Sequence, residues 1–158
     1  MLLKKKNIKS FLFVCTGNTC RSPMAEMYFN HQVKKLKIKN MYAESAGVLA
    51  DDESRISTFA EEVLYEHKID YPATFRSTQI TLHHMQEFDV ILCMELSHKL
   101  HILHKFPKYK DKVFTLKEYI GESGDIEDPF GLTVDVYEDK FLEIKKAIDT
   151  LIEKESKK

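Results

Sequence analysis

Hydrophobic residues fall into short continuous runs that alternate with stretches of helical periodicity. Four runs, rich in Phe, Val and Ile and bounded by polar residues, predict β-strands at Ser10–Cys15, Met41–Ser45, Phe88–Met94 and Lys112–Leu116. No Pro/Gly/Ser-rich linker and no internal repeat divides the chain. We therefore predict a single α/β domain over residues 1–158, with a four-stranded parallel sheet covered by helices on both faces.

Three stretches carry hydrophobic residues at the three- and four-residue spacing of an amphipathic helix. The second of these helices has Ser57 or Thr58 as its cap, with Glu61 completing a capping box in the case of Thr58. The lysine-rich ends, 1–8 and 154–158, are predicted to be frayed tails. The apolar faces consist of Ala25, Phe29, Val33 and Leu36; Ile56, Phe59, Ala60, Val63 and Leu64; and Tyr137, Phe141, Ile144, Ile148 and Leu151.

Composition narrows the function class. Hydrophobic residues make up 43% of the chain and charged residues 31%, and the formal net charge is −1, which provides no general attraction for nucleic acid or an anionic membrane. Three cysteines form no disulfide framework, and no apolar run approaches the length of a membrane span. We expect a soluble, monomeric, cytoplasmic protein with neither nucleic-acid nor membrane partners.

The segment after the first strand carries the clearest chemistry. Cys15 ends the strand, Arg21 follows six residues later, and a helical pattern opens at Pro23. The residues between can curl so that successive backbone N–H groups point inward at the start of a helix, which makes a site for a phosphate-like dianion. Arg21 would close that site with its guanidinium group, and Cys15 would react as a thiolate. The spacing predicts covalent phosphoryl transfer through Cys15.

Such a reaction also needs a group that protonates the departing atom and later activates water. Asp128 is the best candidate, because Pro129 and Gly131 place it in a loop before the last helical stretch and Phe130 provides an aromatic wall beside it. An Asp-Pro pair on its own is more often only a turn, but the loop at Cys15–Arg21 favours the catalytic interpretation. This route needs no metal and no cofactor.

Four motifs resemble the low-molecular-weight protein tyrosine phosphatases: Cys15–Glu26, Ser45–Gly47, Phe88–Met94 and Asp128-Pro129. The similarity runs from about Ser10 to the last helix. It implies a phosphatase acting on phosphorylated proteins. The implied roles are nucleophile for Cys15, phosphate clamp for Arg21, general acid for Asp128, loop-shaping residue for Asn18, hydrogen-bond donor to the thiolate for Ser22, and phosphate or substrate contacts for Thr16, Gly17, Thr19, Cys20 and Phe130.

Thr19 bears on the substrate. Tyrosine-specific members of that family usually have isoleucine there, whereas threonine resembles the protein-arginine-phosphatase branch found in Gram-positive bacteria. A short hydroxyl side chain suits a polar guanidino group better than a phenyl ring, and Phe130 and the segment Val113–Tyr119 fit that branch as well. We therefore predict hydrolysis of protein phosphoarginine, with phosphotyrosine as the alternative.

Two further expectations follow from the resemblance. Cys20 is expected to form a reversible disulfide with Cys15 under oxidation, the alternative being a small buried residue. Many family members brace the asparagine of the loop with a histidine, but the matching position here is Phe75. What holds Asn18 is therefore left open.

Other functions are weaker. Glu95, His98, His101 and His104 recur every three residues, and His83 and His84 form a pair, which would suit a metal, but a solvent-facing helix explains the spacing better. Thioredoxin-coupled arsenate reductases share the loop but need two further cysteines in mid-chain. Here only Cys93 lies in that region, and Leu100 stands where the other is needed. A silent phosphoresidue-binding module would lack Cys15 or Asp128, and both are present.

Overall fold

The computed structural model describes residues 8–158. Within that range the chain forms one sheet of four parallel strands in the order β2-β1-β3-β4. The strands are β1 (Lys9–Cys15), β2 (Met41–Gly47), β3 (Val90–Cys93) and β4 (Val113–Thr115). The prediction of a single α/β domain with a four-stranded parallel sheet is confirmed.

Helices connect the strands and cover both faces of the sheet. They are α1 (Arg21–Lys35), α2 (Thr58–Glu66), α3 (Leu82–Glu87), α4 (Leu96–Lys105), α5 (Leu116–Tyr119) and α6 (Val134–Ser156), with a 3₁₀ helix at Pro107–Lys112. Helices α1, α2 and α6 pack on one face, and α3 and α4 pack on the other. Among the described residues, no helix combines the length and apolarity that crossing a bilayer requires.

The central strand β1 explains why its sequence is continuously hydrophobic. Phe11 and Phe13 point into the core beneath α1, α2 and α6, whereas Leu12 and Val14 point into the core on the opposite face. Alternate side chains of a strand point to opposite faces, so a strand covered on both sides needs apolar residues at every position. β1 is paired with β2 on one side and β3 on the other, and it delivers Cys15 to the carboxyl edge of the sheet.

Two strands are shorter than predicted, because polar side chains end them. The carboxylate of Asp89 accepts hydrogen bonds from the backbone and hydroxyl of Ser10, at 2.8 and 3.2 Å, so β3 begins only at Val90. The Thr115 hydroxyl accepts a bond from the Glu118 backbone and caps α5, which ends β4 there. Strand β2 instead extends two residues beyond the predicted Ser45, to Gly47.

Helix boundaries also differ from expectation in places. Helix α1 begins at Arg21 rather than Pro23, because the Met24 amide already donates to the Cys20 carbonyl at 3.1 Å. Pro23 lies in that first turn, where its missing N–H costs nothing. Ser57 is confirmed as the cap of α2, where its hydroxyl accepts from Ala60. The capping box of Thr58 with Glu61 is wrong, since Thr58 already belongs to the helix.

The predicted frayed tail at 154–158 is wrong over most of its length, because α6 continues to Ser156. Glu155 is buried there and accepts bonds from Lys9 at 2.9 Å, Tyr119 at 2.8 Å and Lys158 at 3.0 Å. These contacts join the last helix to the start of β1. At the other end, residues 1–7 of the predicted tail 1–8 lie outside the described residues.

Candidate active site

The loop from Cys15 to Arg21, called the phosphate loop below, links the end of β1 to the start of α1. Four of its carbonyl groups accept backbone bonds from outside the loop or from the first helical turn: Cys15 from Val48, Thr16 from Leu49, Thr19 from Ser57, and Cys20 from Met24. No peptide bond is cis among the described residues, and in a trans peptide the C=O group and the N–H group of the next residue point in opposite directions. The N–H group that follows each of these four carbonyls therefore points away from the residue that donates to the carbonyl. The amides of Thr16, Gly17, Cys20 and Arg21 thus have the orientation that an anion site inside the loop requires.

Asn18 fixes the shape of this loop. Its backbone has φ of 57°, a left-handed conformation that asparagine tolerates better than most residues. Its side-chain amide donates to the hydroxyls of Ser22 at 2.8 Å and Ser45 at 2.9 Å, while its carbonyl accepts from the Thr78 backbone at 2.9 Å. The bracing left open by Phe75 is thus provided by two serines and one backbone amide.

A second layer of residues supports those serines. The Ser45 hydroxyl donates to the Glu26 carboxylate at 2.6 Å, and burial raises the pKa of Glu26 to about 7. Gly47 lies against the loop so closely that a Cβ there would come within 2.5 Å of the Thr16 carbonyl oxygen and 3.0 Å of the Asn18 amide. Glycine is needed at this point because the two backbone segments touch.

Arg21 is buried, with 1% of its side chain exposed, and its guanidinium is held from several sides. One terminal nitrogen donates to the Ile126 carbonyl at 2.7 Å and to the Glu95 carboxylate, and the other lies 3.5 Å from the Thr16 hydroxyl. Its Nε atom is the one buried side-chain polar atom without a hydrogen-bond partner in residues 8–158. A buried N–H group without a partner is costly, and an oxygen of a bound phosphoryl group would satisfy it.

Asp128 lies at the mouth of the phosphate loop, in the segment Asp125–Leu132, called the acid loop below. One carboxylate oxygen accepts from the Phe130 amide at 3.0 Å, and the other lies 3.7 Å from the Arg21 guanidinium. The Asp128 side chain is 45% exposed and Phe130 is 74% exposed. The acid loop thus places a water-accessible carboxyl beside Arg21 and an open aromatic ring two residues further along the chain.

The two cysteines of the phosphate loop have different surroundings. Cys15 is buried, and its sulfur lies 2.9 Å from the Ser22 hydroxyl. Cys20 instead contacts the hydroxyls of Ser57 at 3.3 Å and Tyr137 at 3.4 Å, and both thiols are free. Burial and the neighbouring Cys20 raise the pKa of Tyr137. The expected Cys15–Cys20 disulfide stays a prediction.

Residues 10–158 match the family described as low molecular weight phosphotyrosine protein phosphatase. This chain belongs to that family. It is 44% identical to a protein-arginine-phosphatase of Geobacillus stearothermophilus over 145 residues, which cover 90% of this chain and 93% of the relative. It is 38% identical to the low molecular weight protein-tyrosine-phosphatase PtpB of Staphylococcus aureus, over 87% of this chain and 92% of the relative.

One similar solved structure carries a phosphoryl group on an active-site side chain. A mutant of the YwlE arginine phosphatase, which carries a phosphorylated active-site serine, superposes with a TM-score of 0.87 at 38% identity. The match covers 92% of this chain and 94% of that one. The fold and membership of this phosphatase family, both expected from the sequence motifs, are confirmed.

Two residues that contact the phosphate loop were not predicted to lie there. Glu95 and His98 follow β3 at its carboxyl end, where Glu95 pairs with Arg21 and the His98 ring lies 2.9 Å from the Thr16 hydroxyl. Their three-residue spacing predicted a solvent-facing helix for both, which is wrong for His98, since only 3% of it is exposed. Their position directly after a parallel strand was the signal that could have found them.

The remaining candidates for metal or redox chemistry lie elsewhere in this phosphatase. His101 and His104 are exposed, and the His84 ring accepts from the Thr81 amide at 3.0 Å as part of the cap of α3. Residues 8–158 contain no group of three or more His, Cys, Asp or Glu side chains that is arranged to hold a metal ion. Cys93 is completely buried, and burial raises the pKa of its thiol.

Proposed function

We propose that this protein is a phosphatase that removes phosphoryl groups from arginine residues of proteins through a phosphocysteine intermediate. The observation that carries the proposal is the buried Arg21, whose Nε has no hydrogen-bond partner among residues 8–158, beside loop amides that point away from the partners of the preceding carbonyls. Together they form a site for a phosphoryl group with a nucleophilic sulfur at its base.

In the first step the Cys15 thiolate attacks phosphorus, an S–P bond forms, and the P–N bond to the substrate arginine breaks. Asp128 donates its proton to the departing guanidino nitrogen. The charge on the three phosphoryl oxygens is stabilised by the loop amides and by Arg21, which are already in place before the substrate arrives. Ser22 donates to the sulfur when Cys15 is a thiolate, at the 2.9 Å separation of the two atoms.

In the second step Asp128, now a carboxylate, takes a proton from water as that water attacks the phosphocysteine. The S–P bond breaks, inorganic phosphate leaves, and the Cys15 thiolate is regenerated. The exposure of Asp128 gives it the access to water that this step requires. No metal or cofactor takes part in either step.

The preference for arginine rests on Thr19 and the acid loop. Thr19 is partly buried at the loop, and its hydroxyl lies 3.7 Å from the Cys20 sulfur. A hydroxyl and a carboxylate near the anion site offer polar contacts to a guanidino group, and Phe130 offers a ring on which that planar group can stack. The similarity to an arginine phosphatase of G. stearothermophilus supports this choice.

The test compares kcat/KM on a protein containing phosphoarginine and on a phosphotyrosine peptide, for the wild type and for Thr19→Ile. We expect the wild type to prefer phosphoarginine and the variant to shift toward phosphotyrosine, because isoleucine replaces a polar contact by an apolar one. Thr19→Val is the matched control, since it removes the hydroxyl at nearly constant volume. A wild type that prefers phosphotyrosine would overturn the arginine assignment.

A separate control tests the nucleophile. Cys15→Ser should abolish turnover on both substrates, because a serine hydroxyl in this site does not ionise as a thiol does. Cys93→Ser is the matched variant, since Cys93 is a cysteine in the other core and takes no part in the reaction. Full activity in Cys15→Ser would refute the phosphocysteine route whatever the substrate.

The second candidate function is a protein tyrosine phosphatase. It is favoured by the similarity to S. aureus PtpB. Arsenate reduction is disfavoured, because Cys93 is the one cysteine in mid-chain and Leu100 stands where a second is needed. Oxidation of thioredoxin that depends on added arsenate would revive that third possibility.

We further propose that the protein acts as a monomer in the cytoplasm, on phosphorylated proteins and not on nucleic acids. The support is the net charge of −1 and the absence of a disulfide framework among its three cysteines. Light scattering on the purified protein measures its mass in solution, and cell fractionation measures its location. A stable dimer or a membrane-associated fraction would contradict the proposal.

A further inference from the structure

His98 lies outside the phosphate loop but touches it. The residue is on α4, the helix that follows β3, and its ring nitrogen Nε2 lies 2.9 Å from the Thr16 hydroxyl oxygen. Thr16 is the residue directly after Cys15. A buried histidine within hydrogen-bond distance of the residue next to the nucleophile has no part in the mechanism above.

The direction of this hydrogen bond follows from the other ring nitrogen. The backbone N–H of Glu95 donates to Nδ1 of His98 at 3.1 Å, so Nδ1 carries no proton. A neutral imidazole with Nδ1 as acceptor has its single proton on Nε2. His98 is therefore the donor and the Thr16 hydroxyl oxygen the acceptor.

The ring is also kept neutral. Burial lowers the pKa of His98 to about 4, and the positive charge of Arg21 adds to this effect against the opposing charges of Glu95, Asp125 and Asp128. A second proton on the ring would sit on Nδ1, facing the Glu95 N–H, where it has no acceptor. The hydrogen bond to Thr16 thus keeps one direction at neutral pH.

The Thr16 hydroxyl connects His98 to the phosphate clamp. Its oxygen accepts from His98 and lies 3.5 Å from the terminal nitrogen of Arg21 that also faces Asp128. Because the Thr16 oxygen accepts from its neighbours, the hydroxyl proton remains free to be donated to another acceptor. The Thr16 hydroxyl therefore contacts the His98 ring and the Arg21 guanidinium at the same time.

We propose that His98 is a positioning residue of the phosphate loop, which it holds in the anion-binding shape by donating from Nε2 to the Thr16 hydroxyl. The inference rests on the proposed use of the loop in phosphoryl transfer and deepens it. His98 does not touch the substrate. Its effect reaches the phosphoryl group through Thr16 and Arg21.

The test uses two substitutions that separate the two nitrogens of the ring. His98→Asn keeps an acceptor for the Glu95 N–H but is too short to reach Thr16, whereas His98→Gln carries an N–H donor at about the reach of Nε2. We expect His98→Asn to lower kcat/KM and to weaken inhibition by vanadate about five- to tenfold, the range that one hydrogen bond of ordinary strength gives. His98→Gln should stay within about twofold of the wild type.

A double-mutant cycle with Thr16→Ala decides whether the effect passes through that hydroxyl. In the Thr16→Ala background, His98→Asn should cause little further loss, since the acceptor is already gone. Losses that multiply independently would overturn the proposal, as would a vanadate affinity that His98→Asn leaves unchanged. Equal unfolding temperatures of the variants would separate the effect from general destabilisation.

The direction of the bond is tested in the wild type, so that a variant that fails to fold does not end the test. Nitrogen-15 NMR of the histidine ring should show a proton on Nε2 and none on Nδ1 at neutral pH. A proton on Nδ1 would overturn the proposal. Kinetics use p-nitrophenyl phosphate as well as phosphoarginine, so an enzyme inactive on phosphoarginine would refute the substrate assignment while leaving the test of His98 intact.

Discussion

The phosphate loop and the acid loop form the two sides of the proposed site but are built in different ways. In the phosphate loop, Asn18 and Arg21 are buried, and their polar groups are tied to Ser45 of β2, to the Thr78 backbone and to the Ile126 carbonyl at the buried start of the acid loop. In the acid loop, Asp128 and Phe130 are exposed, and the hydrogen bond to the Asp128 carboxylate comes from within the loop itself.

The difference follows from what each loop would recognise in the proposed reaction. A phosphoryl group is the same in every substrate, so its donors can be fixed in advance, which avoids reorganisation during the reaction. The leaving group and the surrounding protein vary, and the acid must also reach water. We infer that the phosphate loop depends on the integrity of the fold, whereas the exposed side chains of the acid loop, such as Asp128 and Phe130, can change with little effect on stability.

The largest effect on turnover with the smallest effect on stability is expected for Asp128→Asn. The amide keeps an acceptor for the Phe130 N–H but cannot donate a proton as an acid, so kcat should fall by about 10²- to 10⁴-fold. Phosphate binding and the unfolding temperature should stay near wild type, because an exposed ion pair contributes little to stability. An unchanged kcat would assign the acid to another residue.

Gly47→Ala should damage both activity and stability. The new Cβ would lie 2.5 Å from the Thr16 carbonyl oxygen, so one of the two backbone segments must move. A shift of about 1 Å in a catalytic group costs about 100-fold in rate, and overpacking costs about 1–3 kcal/mol. Gly124→Ala offers a control for substitution of a glycine with open space around it, although its φ of +101° adds backbone strain.

The measurements for Gly47→Ala are kcat/KM, phosphate affinity and the midpoint of urea unfolding. All three should fall together, in contrast to the selective loss in Asp128→Asn. A Gly47→Ala variant that loses stability but binds phosphate normally would show that the phosphate loop tolerates movement of β2. The contrast between the two loops would then be wrong.

The smallest effect is expected for Phe130→Ala. The ring is exposed, so its removal should leave stability unchanged within about 0.5 kcal/mol, while KM for phosphoarginine rises several-fold through loss of stacking. Leu132→Ala, an exposed apolar residue of the same loop, is the matched control and should have less effect on KM. Equal KM values for all three proteins would remove Phe130 from substrate binding.

The sequence predicted the parts of the structure that depend on local pattern. The unbroken run Phe11–Val14 correctly indicated a strand covered on both faces, because every position of such a strand is buried. The spacing of Cys15 and Arg21 correctly indicated a helix that begins directly after the loop, since that geometry is set by adjacent residues, whereas the anion site stays a prediction. The roles assigned to these side chains remain proposals.

What the sequence could not predict depends on neighbours distant in the chain. Glu95 reaches Arg21 across 74 residues and His98 reaches Thr16 across 82, and both contacts exist only because β3 pairs with β1. Their three-residue spacing suggested a helix face and hid these contacts. The support of Asn18 by the Thr78 backbone was equally hidden, because a backbone amide leaves no mark in the sequence.

The contact between Cys20 and Tyr137 has a consequence for the order in which the site is completed. The two residues are 117 positions apart, and Glu155, near the end of the same helix, is joined to Lys9 across 146. A nascent chain therefore exposes the reactive loop long before α6 has been synthesised. Since α6 packs against α1 and α2, Cys20 is synthesised early but gains its contact with Tyr137 only near the end of translation.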